Sequence, residues 1–470
     1  MTRRSFTSGV LAAAASLGAD AEDLCWLTLQ EASERVRRKE ISSLELTRAC
    51  LQRIEKLNSR LNAFITVTRD QALAQARELD SELRAGHWRG PLHGIPVALK
   101  DLIDTAGIRT TAGSAHYKNR VPQEDAAVVG RLKSAGAVLA GKTNLDEFAY
   151  NYTAETSHFG PSRNPWDAKR SPGGSSGGSA VAVAAGMCFA ALGSDTGGSI
   201  RLPAALCGVT GFKPTYGSVS TEGAAPLAWS LDHIGPFART ARDAELVFDA
   251  MAKGSAPESV PRVSSLRLGA PRKIFYEALD REVDQLAGDA VRTLGGLTAG
   301  VRDVELPPLT MSPDAPDLPL AYIRVIAAEA HTFHEDMMKR NPELYHPGTR
   351  KSIGLSDGLS MADYIRARLE MDRRRAASAT LFDRVELLVT PAAPAPAFEL
   401  GSPAGLIFLR NFAPWNLYGL PSIVVPCGFT QAGLPVGLQL TGPNGHDHTV
   451  LAAAAAFQGA TGWHRQRPPV

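Results

Sequence analysis

Two short runs rich in glycine and serine constrain this chain more than any other feature. "GGSSGG" occupies residues 173–178, and "DTGGS" occupies residues 195–199. Each run leads directly into an apolar stretch typical of a buried helix, "SAVAVAAG" in the first case and "IRLPAALCG" in the second. Flexible glycine–serine linkers do not open buried helices. Both runs are therefore predicted to be ordered backbone shaped around a site.

Common glycine-rich motifs do not explain the runs. Neither contains the G-x-x-x-x-G-K-[ST] or G-x-G-x-x-G pattern of phosphate-binding turns. Residues 174–178 fit G-x-S-x-G, but that motif needs a preceding strand, and "NPWDAKRSP" does not read as one. A nucleophile elbow is therefore rejected.

A serine nucleophile in these runs would need a base, because the hydroxyl is weakly nucleophilic on its own. No histidine lies between His158 and His233. A lysine can serve when burial lowers its pKa from about 10.4. Lys100 ends the apolar strand pattern "GIPVALKD" (94–101) and has the right setting, although a lysine at a strand end can also simply reach water.

The order of apolar patterns favours an α/β fold. Residues 27–83 have helical periodicity, and "AVVGRLKSAGAVLAGKTN" (127–144) reads as a helix followed by a strand. Residues 320–380 are predicted to be helical. Later strands are predicted in "RVELLVTP", "PSIVVPCGF" and "LPVGLQLTG". We divide the chain into an N-terminal extension (1–21), a helical arm (22–85) and a core (86–470), with one domain over 22–470.

Composition excludes several classes of protein. The 470 residues carry a net charge of +2, which gives no argument for a nucleic-acid partner. No apolar run reaches the length of a membrane span, so no membrane partner is expected. The scattered cysteines read as small buried thiols. The pairs His331/His334 and His446/His448 lack further ligands at suitable spacing, so no metal site is predicted.

The first 21 residues resemble a twin-arginine export signal. Arg3 and Arg4 precede a short apolar run, and Ala19-Asp20-Ala21 has the form of a cleavage site. This order predicts a periplasmic protein. The alternative is a disordered extension on a cytoplasmic protein.

The longest segments of the chain are similar to one enzyme family. "GIPVALKD", "PGGSSGGSAVAVAAGMCFAALGSDTGGSIRLPAALCGVTGFKPTYG", "DEFAYNYTAETSHFGPSRNPWD" and "NLYGLPSIVVPCGFTQAGLPVGLQLTGP" resemble the amidase signature family. The likeness runs from about Leu27 to Trp463. It implies one large α/β domain, with a mixed sheet flanked by helices.

The resemblance also assigns roles to residues. It implies a Ser–cis-Ser–Lys triad with Ser199 as nucleophile, Ser175 as bridging serine after a cis peptide bond, and Lys100 as base. The implied oxyanion hole is formed by backbone amides of the second run: Thr196, Gly197, Gly198 and Ser199. Supporting or pocket-lining roles are expected for four further residues: Thr153, Ser176, Asp195 and Arg201. Asn151 and Tyr152 replace small residues common in the family, so the acyl pocket is expected to be reshaped. No cofactor is implied.

These observations predict a serine amidase that hydrolyses a small carboxamide to a carboxylate plus ammonia or an amine. One alternative is the glutaminase subunit (A-type) of a tRNA-dependent amidotransferase, which works with partner subunits. It ranks second because of the export-like N-terminus and the altered 150–153 stretch. The other alternative is a non-catalytic scaffold on the same fold. A homo-oligomer is compatible with the sequence.

Overall fold

The strands of the protein form a single mixed sheet of eleven strands. The computed structural model describes residues 21–254 and 259–470, and this sheet lies within them. This confirms the predicted fold class. The predicted export signal lies outside the described residues, apart from Ala21. Among the described helices, none has the length and apolarity that crossing a bilayer requires. All five cysteines are buried, as predicted.

The strands are β1 (Phe64–Val67), β2 (Pro96–Lys100), β3 (Val138–Thr143), β4 (Ala190–Asp195), β5 (Thr210–Lys213), β6 (His233–Ala238), β7 (Leu268–Ala270), β8 (Val301–Asp303), β9 (Leu387–Pro391), β10 (Ser422–Phe429) and β11 (Pro435–Thr441). The helices are α1 (Ala21–Leu24), α2 (Leu29–Arg37), α3 (Ser43–Leu61), α4 (Arg69–Arg84), α5 (Ala127–Ser134), α6 (Gly177–Ala184), α7 (Arg201–Cys207), α8 (Ala241–Met251), α9 (Arg272–Phe275), α10 (Arg281–Leu297), α11 (Leu320–Arg340), α12 (Pro347–Ile353), α13 (Met361–Ala376), α14 (Ala413–Tyr418) and α15 (Asp447–Thr461).

The strand order across the sheet is β1-β3-β2-β4-β6-β5-β10-β11-β9-β7-β8. Strand β2 is parallel to both of its neighbours, β3 and β4. The pairs from β4 through β6, β5, β10 and β11 to β9 are all antiparallel. Because β2 and β4 are parallel neighbours, their carboxyl ends meet at one edge of the sheet, and this brings Lys100 close to residues 194–199.

The N-terminal region is mostly helical, as predicted, but it also contributes a strand. Helix α3 begins at a capping box formed by Ser42 and Glu45 and ends at Asn62, whose φ of 49° is left-handed. The next residues, Phe64–Val67, are rich in β-branched side chains and pair with β3. The Asn58 side chain supports this turn by bonding both the N–H and the carbonyl of Phe64. The predicted arm is therefore tied into the sheet edge.

Both glycine–serine runs open buried helices. Every residue of α6 and of α7 is buried. The first run forms the turn into α6, and the second continues from the end of β4 into α7. This confirms that the runs are ordered backbone rather than linkers.

Candidate active site

Lys100 lies at the carboxyl end of β2 and is completely buried. Its Nζ lies 2.7 Å from Ser175 Oγ and 2.8 Å from Ser194 Oγ. Burial lowers the pKa of Lys100 to about 7, although the carboxylates of Asp146, Asp195 and Asp232 act in the opposite direction. A substantial fraction of this side chain is therefore a neutral amine near pH 7, which is the form that a base requires.

The loop that carries Ser175 is fixed by a buried carboxylate. Gly174 and Ser175 are joined by a cis peptide bond, as the resemblance implied. The carbonyl of Ser175 accepts a hydrogen bond from Asp146 N (3.1 Å). The Asp146 carboxylate lies so close to Gly174 that a Cβ there would be 2.0 Å from Asp146 Oδ2. Glycine is therefore the residue that fits before Ser175.

Asp146 also orders the segment that follows the short helical turn at residues 147–149. Its carboxylate accepts hydrogen bonds from the amides of Ala154 (2.9 Å), Glu155 (3.0 Å) and Thr156 (3.1 Å). Burial raises the pKa of this carboxyl despite these bonds. Asp146 thus couples the 154–156 segment to the Ser175 loop, a role that no motif in the sequence indicates.

Ser199 lies at the end of the second run, between β4 and α7. It is 7% exposed, whereas Lys100 and Ser175 are 0% exposed. Its carbonyl accepts a hydrogen bond from Ser176 N (3.2 Å), and Ser176 Oγ donates to the Ser194 carbonyl (3.1 Å). Ser176 therefore joins the two runs. Ser199 Oγ forms no hydrogen bond within the described part of the chain, so a proton transfer from Ser199 to the bridging Ser175 remains a prediction.

The four predicted oxyanion-hole amides are not equivalent. Gly198 N–H donates to Asp195 Oδ1 (2.9 Å), so this hydrogen is already engaged. The amides of Thr196, Gly197 and Ser199 have no hydrogen-bond acceptor among the described residues. These three are the N–H groups that could meet an oxyanion. The missing side chain of Gly197 lets Tyr322 approach closely, since a Cβ on Gly197 would lie 2.0 Å from Tyr322 Oη.

Asp195 and Arg201 form a fully buried ion pair under this loop, with Arg201 Nη2 2.9 Å from Asp195 Oδ1. Burial alone would raise the pKa of Asp195, but Arg201 outweighs it and holds that pKa well below its usual range. The carboxylate of Asp195 also accepts hydrogen bonds from the backbone amides of Gly198 and Ile200. The pair therefore lies beneath the second run and bonds its backbone, and its supporting role stays a prediction.

Asn416 completes the network from a distant part of the chain. Its Nδ2 donates to both the carbonyl and Oδ1 of Asp195 (2.9 Å each), and its Oδ1 accepts from Arg201 Nη2. Arg201 Nη1 donates to Gln439 Oε1 (2.9 Å). No local pattern singled out Asn416 or Gln439. The C-terminal segment "NLYGLPSIVVPCGF", which carried part of the resemblance, begins at Asn416.

The remaining predicted residue, Thr153, is half-buried in the loop before the first run. Its carbonyl accepts a hydrogen bond from Ser171 Oγ (2.6 Å). Its neighbour Tyr152 donates from Oη to the Ala404 carbonyl. Tyr152 therefore closes this side of the loop against the C-terminal half of the chain. The described residues show no hydrogen bond from the Thr153 hydroxyl to Lys100, Ser175 or Ser199.

The protein-family model described as Amidase matches residues 45–451 of this chain. The chain belongs to the amidase signature family. This confirms the resemblance seen in the sequence.

The relatives of this chain include both amidotransferase subunits and an amidase. The chain is 41% identical to the A-type subunit of the glutamyl-tRNA(Gln) amidotransferase of Moorella thermoacetica, over 95% of this chain and 99% of the relative. A solved amidase structure has a TM-score of 0.85 at 36% identity and covers 93% of this chain and 100% of its own. The solved A-type subunit of the same amidotransferase from Thermotoga maritima has a TM-score of 0.78 at 34% identity and covers 95% and 98%. The sheet and its helices are thus shared with enzymes of both kinds.

Proposed function

We propose that this family member cleaves a carboxamide C–N bond through an acyl-enzyme on Ser199. The observation that carries the proposal is the buried Lys100, 2.7 Å from Ser175 Oγ, with its pKa lowered to about 7 by burial. A buried amine held against a hydroxyl oxygen, in the loop beside a second serine, is the arrangement that general-base activation of a serine requires.

In the proposed reaction, neutral Lys100 accepts a proton from Ser175 as Ser175 accepts one from Ser199. Ser199 Oγ attacks the amide carbonyl, and the oxyanion is stabilised by the amides of Thr196, Gly197 and Ser199. The relay returns the proton to the leaving nitrogen, and the C–N bond breaks. Water then hydrolyses the acyl-enzyme by the same route, which releases the carboxylate and restores Ser199.

For the amide donor, we propose glutamine, with the chain acting as the glutaminase subunit of a tRNA-dependent amidotransferase. The support is the identity of about two residues in five, over nearly the full length, with proteins named as the A-type subunit of that enzyme. This reverses the order in which the sequence alone ranked the two functions. It implies partner subunits, and it favours the cytoplasmic alternative, because aminoacylated tRNA would be part of the reaction.

A stand-alone amidase is the second candidate. It is favoured by the higher TM-score to the solved amidase, 0.85, than to the solved amidotransferase chain, 0.78. Tyr152 supports the same candidate, because it stands where the family commonly has a small residue and its Oη donates to the Ala404 carbonyl. The contact between Lys100 Nζ and Ser175 Oγ argues against a non-catalytic scaffold.

Ammonia release distinguishes the candidates. The purified chain would be assayed with glutamine, aliphatic amides, benzamide and a peptide amide, alone and with amidotransferase partner subunits from a bacterial relative. Glutamine turnover that rises with the partners supports the glutaminase role. Turnover of a simple amide by the chain alone, lost in Ser199→Ala and in Lys100→Ala, supports the stand-alone amidase. Turnover that survives Ser199→Ala would overturn both candidates.

A further inference from the structure

The second neighbour of Lys100, Ser194, is not part of the predicted triad. Ser194 Oγ lies 2.8 Å from Lys100 Nζ, nearly the same distance as Ser175 Oγ at 2.7 Å. Ser175 is 0% exposed, whereas Ser194 keeps 7% of its surface exposed. The amine therefore contacts two hydroxyls, and only that of Ser175 lies in the proposed relay toward Ser199.

Ser194 borders a small cavity of about 40 Å³. That volume is enough for one or two water molecules. The lining includes three further polar residues, Thr221, Asp232 and His233, but neither Ser175 nor Ser199. Of the two serines that contact Lys100, only Ser194 therefore borders this cavity.

The hydroxyl of Ser194 can either accept a hydrogen bond from Lys100 or donate one to it. A neutral amine has two N–H groups and one lone pair, and a base needs that lone pair free for the Ser175 hydrogen. If Ser194 donated to the lone pair, it would compete with Ser175. No described residue accepts the hydrogen of Ser194 Oγ, so only the cavity side offers it an acceptor.

We propose that water in this cavity accepts the hydrogen of Ser194, so that Ser194 in turn accepts from Lys100 and turns the amine lone pair toward Ser175. Ser194 is then a positioning residue that acts through Lys100. This inference rests on the proposed roles of Lys100 and Ser199 but not on the identity of the amide substrate.

Three carboxylates around Lys100 also act on its pKa. The carboxylates that face it are Asp146 from the segment after β3, Asp195 from β4 and Asp232 from the loop before β6. Asp232 is itself held by Thr196 Oγ1 (2.6 Å) and by the amides of Leu227 and Ala228. Substitutions at Ser194 leave all three carboxylates in place, so a change in the Lys100 pKa can be assigned to the lost hydroxyl.

The test is the rate at which a fluorophosphonate labels Ser199, measured from pH 5 to 9 in four proteins: wild type, Ser194→Ala, Ser194→Thr and Ala225→Val. In Ser194→Ala we expect labelling at pH 8 to slow at least tenfold. The pH midpoint should fall by half a unit or more, because the ammonium form of Lys100 loses an acceptor. Ser194→Thr keeps the hydroxyl and should stay within threefold of the wild-type rate.

Ala225→Val tests whether the cavity is needed, because Ala225 lines the cavity but forms no hydrogen bond with Lys100. Filling the space should slow labelling and lower the midpoint in the same direction as Ser194→Ala. An unchanged profile in Ser194→Ala, equal slowing in Ser194→Ala and Ser194→Thr, or an unchanged profile in Ala225→Val would each overturn the inference. Circular dichroism confirms folding of each variant. Absence of labelling at Ser199 in the folded wild type would instead contradict the proposed function.

Discussion

Two buried lysines on adjacent parallel strands have different surroundings, and the difference supports the proposal that Lys100 rather than Lys142 is the base. Lys100 ends β2, and Lys142 lies in β3, in register with Leu99. Both are almost completely buried. Burial lowers the pKa of Lys100 to about 7 and that of Lys142 to about 8. Burial and a lowered pKa therefore do not by themselves distinguish a base from a structural lysine.

The partners do distinguish them. Lys142 Nζ donates to Thr110 Oγ1 (2.7 Å), Thr105 Oγ1 (3.2 Å) and the Ile103 carbonyl, and Asp101 Oδ1 lies 3.9 Å away. These partners stabilise the ammonium form and hold it in place. Lys100 Nζ instead has two serine hydroxyls, and one of these, Ser175, can give up a proton. We infer that Lys142 is structural and Lys100 is the base.

The largest expected effect is on activity. Lys100→Met should lower the hydrolysis rate by about 10³-fold or more, because general-base catalysis contributes roughly 10²–10⁴. Lys142→Met should keep the rate per folded molecule within about tenfold of wild type, since Lys142 has no contact with the proposed relay. The rate is measured as ammonia release on the best substrate of the amide panel. Equal losses in the two variants would remove the distinction between the lysines.

Stability should change in the opposite order. Lys142→Met removes the donor to Thr110 Oγ1 and the cation beside the buried Asp101 carboxylate, and it leaves the Ile103 carbonyl only the longer bond from Thr105 Oγ1 (3.3 Å). Each buried group that loses its partner costs about 1–3 kcal/mol. Lys100→Met removes the contacts with two hydroxyls, those of Ser175 and Ser194, and breaks no direct ion pair among the described residues. Lys142→Met should therefore be less stable than Lys100→Met by about 3 kcal/mol in urea unfolding. A less stable Lys100→Met would show that Lys100 is also structural.

The smallest expected effect is on pH dependence. A base with a pKa of about 7 makes kcat/KM fall tenfold per unit below that pH and level off above it. Lys142→Met should leave the midpoint within about half a unit, because Lys142 is not among the charges that act on Lys100. A midpoint that moves with Lys142 would couple the two lysines. A flat profile from pH 5 to 9 would exclude Lys100 as the titrating base.

The sequence predicted much of this architecture because its signals were local. The strand pattern of "GIPVALKD" placed Lys100 at a buried strand end, and the two runs placed Ser175 and Ser199 before helices. Most of the segment 320–380 is helical, as predicted. The strand β1 was missed because four residues between two helices carry little periodicity.

The site residues that the sequence missed act across long chain separations. Asn416 bonds Asp195 from 221 positions away, and Lys100 reaches Ser194 from 94 positions away. Asp146 was visible within a family-like segment, but its role depends on the close approach of Gly174, which no spacing shows. The engagement of Gly198 N–H by Asp195 likewise depends on how the loop folds over that carboxylate.

The most direct test of the distinction between the lysines is to map the fluorophosphonate adduct by mass spectrometry at pH 8 in wild type, Lys142→Met and Lys100→Met. We predict an adduct on Ser199 in wild type and in Lys142→Met, and almost none in folded Lys100→Met. An adduct on Ser199 that forms equally fast in Lys100→Met would contradict the assignment of Lys100 as the base that activates Ser199.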